Sequence, residues 1–137
     1  VAKYDKYDSK MSGTRAFLAA DWLAADLNKV VGVGLNNAGR IVKGAGATGI
    51  IGVLILTRIV KAGREPVDPM KRGEIVEFDV AGIPAAPLAL AAPGIKVYVN
   101  ATTGAVQAAA TGGIYVGHTV EKGRLVVSVD EGAAVGA

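Results

Sequence analysis

The stretch from Ile95 to Val129 reads as two β-hairpins in a row, opening on a period-two alternation of apolar and polar residues over Ile95 to Asn100, and it points the chain to antiparallel β-structure. Ile95, Val97 and Val99 fall on one face of a strand, and Lys96, Tyr98 and Asn100 fall on the other. Ala101-Thr102-Thr103-Gly104 reads as a loop whose glycine takes a positive φ, and Ala105 to Ala108 returns as a short strand. Thr111-Gly112-Gly113 leads into a strand from Ile114 to Val120. Glu121-Lys122-Gly123 is a turn with glycine last, and Arg124 to Val129 closes a second hairpin with Leu125, Val127 and Val129 on the core side.

Upstream the same logic continues. Val30 to Leu35 reads as a strand, Asn36-Asn37-Ala38-Gly39 as a hairpin loop, and Arg40 to Lys43 as its return. Ile50 to Val60 is β-branched and apolar at both parities, the pattern of a central strand buried on both faces. Residues 61–73 form a polar connection in which Val67 pairs briefly at an edge. Glu74 to Val80 alternates with Val76, Phe78 and Val80 inward, and the prolines at 84, 87 and 93 make 81–94 a loop. About eight short strands without a strongly periodic helix define an all-β chain, a small barrel or sandwich. Its domain spans 27–130, with an N-terminal arm over 1–26 and a flexible tail over 131–137.

The arm begins with alternating charged and polar residues and has too little apolar surface to fold alone. Its aromatic residues Tyr4, Tyr7, Phe17 and Trp22 are the candidate partner-docking residues, although a buried Trp is commoner than an exposed one. Residues 14–27 fit either one short helix or an extended, irregular course, and the extended course is favoured.

Little in the chain suggests chemistry. With no cysteine, thiolate metal sites and disulfides are excluded, and His118 is the lone histidine, without a second imidazole to complete a metal site or triad. Gly44-Ala45-Gly46-Ala47-Thr48-Gly49 matches a dinucleotide-binding glycine pattern by letter, but a strand-like run follows it where that site needs a helix. No catalytic, cofactor-binding or metal-ligating residue is expected. A net charge of +3 spread along the chain lacks the clustering of a nucleic-acid binder. The apolar run ends at Arg58, too short to span a membrane. Charged residues make only 20% of the chain, below the roughly 25% usual for soluble domains, which suggests surface covered by partners.

Several stretches carry a family resemblance. Lys96 to Val106 is similar to the strand–turn–strand of small head-decoration, or cement, proteins of tailed bacteriophages. Gly113 to Val120 and Gly123 to Val129 resemble the closing hairpin of that family, and Gly49 to Val60 with Gly63 to Val67 resembles its middle section. Val99 stands where the family often has an aromatic residue, and the long N-terminal arm is a further departure. The resemblance implies a non-enzymatic virion protein that braces the exterior of an icosahedral shell, with the major capsid protein as partner and a homotrimer as the working form. It carries no catalytic residue over. A free-standing β-module that binds a glycan or small ligand is the alternative, and would call for an exposed aromatic cluster.

Overall fold

The computed structural model describes residues 15–77, 93–121 and 124–129. Ten strands follow in order: β1 (Ala16–Phe17), β2 (Val31–Leu35), β3 (Ile41–Lys43), β4 (Gly52–Leu54), β5 (Pro66–Val67), β6 (Arg72–Glu77), β7 (Lys96–Asn100), β8 (Val106–Gln107), β9 (Gly113–Glu121) and β10 (Arg124–Ser128). A single 3₁₀ turn at Ala24–Asp26 is the sole helical element among the described residues. The strands form a five-stranded sheet in the order β6-β10-β9-β7-β8, a three-stranded sheet in the order β3-β2-β4, and a β1–β5 pair, each antiparallel throughout. Among the described residues no sheet closes into a barrel, so the all-β fold is sandwich-like.

The three-stranded sheet lies between two apolar cores. Val30, immediately before β2, enters a core with Val53, Val97, Val99, Val116, Leu125 and Val127 on the five-stranded sheet's side. Within β2, Val31 and Val33 enter a second core with Leu18, Trp22, Ile41, Leu54, Val60 and Val67. A strand buried on both faces needs apolar residues at both parities, as in β4, where Val53 enters the first core and Leu54 the second. Gly32 faces Val99 with no room for a Cβ, which is why glycine interrupts the valines of β2.

The two larger sheets are also joined by main chain. Asn100 Oδ1 accepts the N–H groups of Thr102 (2.8 Å) and Thr103 (3.0 Å), which folds the β7–β8 loop into a tight turn. That turn lies against β2 and the segment after β3: Gly32 N donates to Gly104 O at 2.8 Å, and Ala45 N to Ala101 O at 2.7 Å. Gly104 has φ +75°, and a Cβ there would strike the Gly32 carbonyl, so the close approach requires glycine.

Two expectations are revised. The long central strand over 50–60 is only three residues, Gly52–Leu54, and occupies an end of its sheet with β2 in the middle. Its outer edge is partnered all the same, since Val53 and Met70 exchange backbone hydrogen bonds at 2.9 and 2.8 Å. The segment then leaves the sheet, and Arg58 and Ile59 reach solvent before Val60 returns to the core. Second, the described part of the expected arm, 15–26, belongs to the folded body: β1 pairs with β5, Leu18 bridges Ile41, and Trp22 bridges Val60. Leu18 and Trp22 are buried, and that apolar burial fixes the segment where its polar neighbours suggested freedom. Its course is extended or irregular, with a bend at residues 19–20 and the one 3₁₀ turn. The hairpin turn at 122–123, the inward face claimed for Phe78 and Val80, and the tail 131–137 lie outside the described residues.

Candidate docking surface

The expected docking residues separate. Tyr4 and Tyr7 lie outside the described residues. Trp22 is 2% exposed, its indole N–H donates to Asp26 O at 3.1 Å, and Lys43 Nζ sits 5.1 Å from the ring centroid. It is a core residue of the second cluster and offers a partner nothing. Phe17, in contrast, is 41% exposed.

Phe17 lies on a surface ribbon made by residues 15–23 running antiparallel to 58–68. One end is fixed by the pairs Ala16–Val67 and Phe17–Pro66, the other by the Trp22–Val60 bridge with its two backbone hydrogen bonds. The side chains at the Trp22–Val60 position face inward, so their neighbours Leu23 and Ile59, which flank the bridge, face outward. They are 46% and 49% exposed. Sequence reasoning missed both. The signal available was parity, because Leu23 is adjacent to the aromatic residue that had to choose a face.

Ion pairs fasten the ribbon. Arg15 grips Asp68 through two 3.0 Å hydrogen bonds, and Arg58 forms a two-pronged pair with Glu65. Asp21 accepts the Ala62 backbone N–H at 2.8 Å and lies 3.5 Å from Lys61 Nζ. The Ala62 hydrogen bond holds the Asp21 carboxyl below its usual range, with Lys61 and Arg64 adding to the effect. Hydrogen bonding from Arg58 likewise lowers Glu65. Arg40 reaches from the β2–β3 turn to lie over Gly63, where its guanidinium would be 3.1 Å from an added Cβ.

A second surface is the outward face of the five-stranded sheet. Tyr98 on β7 stands opposite Tyr115 on β9, with ring centroids 5.8 Å apart at 69°, an edge-to-face pair. Lys96 stands opposite His118, and His118 opposite Val126 on β10. Among the described residues, no group of three or more His, Cys, Asp or Glu side chains is placed to hold a metal ion. Nor is any helix among them long and apolar enough to cross a membrane.

These features define an all-β protein with two exposed surfaces fit for contact. A scan of protein-family models finds no match, and a search of curated proteins finds none. Among solved structures, the fold is similar to a chain from Mycobacterium phage Patience, with a TM-score of 0.68 and 21% sequence identity. The similarity covers 96% of this chain and 97% of that one, so the likeness of fold extends over nearly the full length of both.

Proposed function

We propose that this chain is a virion protein of a tailed phage that decorates the outer surface of the head and braces the shell, without catalysing a reaction. The observation that carries the reading is the end-to-end fold similarity to a phage chain. The turn-and-strand pattern at 96–106 and 113–129 supports it, being similar to that of the head-decoration proteins. On this reading the partner is the major capsid protein. The protein acts as a homotrimer, whose cyclic contacts join one patch to a different patch on the neighbour. The test is co-sedimentation of the purified chain with expanded heads that lack it, followed by electron microscopy of the pellet. Saturable binding at three-fold and quasi-three-fold positions is expected. Failure to pellet with intact heads would refute the reading.

A second reading, glycan binding, draws on the half-buried Tyr98–Tyr115 pair on the outward face of the five-stranded sheet. Titration with a panel of oligosaccharides, followed by tyrosine resonances in NMR, separates the two readings.

A further inference from the structure

We infer that the ribbon of residues 15–23 and 58–68 is the surface that meets the shell, and that its partner there is an apolar patch rimmed by carboxylates. This rests on the decoration reading above. Four large apolar side chains are exposed among the described residues: Phe17, Leu23, Ile59 and Val120. Three of the four lie on this ribbon: Phe17 pairs with Pro66, and Leu23 and Ile59 flank the Trp22–Val60 bridge. Each strand of the ribbon thus has an inward residue committed to the core and an outward apolar residue that the fold does not use.

Charge selects the occupant. The end pairs are internally neutral, Arg15 with Asp68 and Arg58 with Glu65. The middle is not. Arg40 lies over Gly63, a residue set between Lys61 and Arg64 in the chain, and the carboxylate that faces Lys61 and Arg64 is Asp21. Asp21 is also partly committed to the Ala62 N–H. The result is a cationic knot set among exposed apolar residues. A second copy docking ribbon to ribbon would bring two such knots together, and like charges at close range oppose association. A partner whose apolar centre is edged with Asp or Glu meets both features, so the occupant is an acidic patch of the shell protein.

The experiment uses the full chain and undecorated heads. Leu23→Glu with Ile59→Glu tests the apolar contact, and Arg40→Glu with Arg64→Glu tests the charge. All four positions are exposed, and circular dichroism with urea melts checks that each variant folds as the wild type does. Each double variant is expected to lose head affinity by about tenfold or more, and wild-type affinity to fall as salt rises. Folded variants that bind at full strength, while the wild type binds, overturn the ribbon assignment and leave the decoration reading standing. Variants that lose self-association without losing head affinity overturn it in favour of a copy-to-copy interface. A wild type that does not bind heads at all overturns both.

Discussion

Replacing Trp22 with Ala tests whether residues 15–26 are part of the fold or an appendage to it. The side chain is 2% exposed and packs among Leu18, Val33, Ile41, Val60 and Val67. Truncating a buried Trp to Ala costs about 3–5 kcal/mol, less where the surroundings can collapse into the space. The ribbon covers one side of the site and is held at both ends, so partial collapse is available there and places the estimate at the lower end. The mutation also removes the indole hydrogen bond to Asp26 O, and the Lys43 ammonium at 5.1 Å, worth about 0.5–1 kcal/mol at a partly exposed site. The expected loss is about 3–4 kcal/mol, a large share of the roughly 5–15 kcal/mol that holds a domain together. Equilibrium urea unfolding followed by far-UV circular dichroism measures it, since the substitution deletes the one tryptophan that fluorescence would report. A loss below about 1 kcal/mol would refute the argument and return 15–26 to the status of a loose arm. A chain starting at Asp26 lacks Leu18 as well, and is expected to be less stable than Trp22→Ala.

Gly104→Val should cost at least about 2 kcal/mol, because strain at φ +75° adds to a collision with the main chain of β2. Gly39→Ala, at the same φ but with open space around it, serves as the control and should cost only about 1 kcal/mol in thermal melts. Acid should weaken the ribbon. Asp21 and Glu65 have folded-state pKa values depressed from their ordinary 3.8 and 4.5, so their contribution is complete above those values and is lost as pH falls through the lower folded ones. Tm measured from pH 7 to pH 2 should therefore drop below about pH 4.5, less so in Asp21→Asn with Glu65→Gln, and equal slopes would reject the assignment.

The β-character, the turns and most of the core were legible because each has a local cause. Alternation placed Val97, Val99, Leu125 and Val127 inside, and Asn36 and Asn100 marked turns through their side-chain hydrogen bonds. The order of strands was not legible, because nothing local makes β10 lie between β6 and β9. The ribbon was misread for a related reason. Residues 15–26 look polar and sparse on their own, and become core only through partners at 41, 60 and 67 that no local window contains. Of the docking residues chosen from aromatic content, Phe17 reaches the surface and Trp22 does not. Ring size alone does not reveal which side of a ribbon a residue takes. The apparent long strand over 50–60 shows the limit of reading apolar runs, since Ile59 is as hydrophobic as Ile50 yet faces water.

The distance in sequence between paired segments also sets how this chain must assemble. Arg15 meets Asp68 across 53 residues, and Arg72 meets Val129 across 57. Loop closure over such spans costs entropy before any contact returns it, and all-β topologies rich in such pairs fold in milliseconds to seconds, not microseconds. During synthesis the first strand leaves the ribosome long before its partner exists, and the apolar faces of Leu18 and Trp22 stay uncovered meanwhile. The β2–β3 hairpin, closed by its short loop at 36–40, is the piece able to form early, and it offers Ile41 as the first surface on which Leu18 can settle.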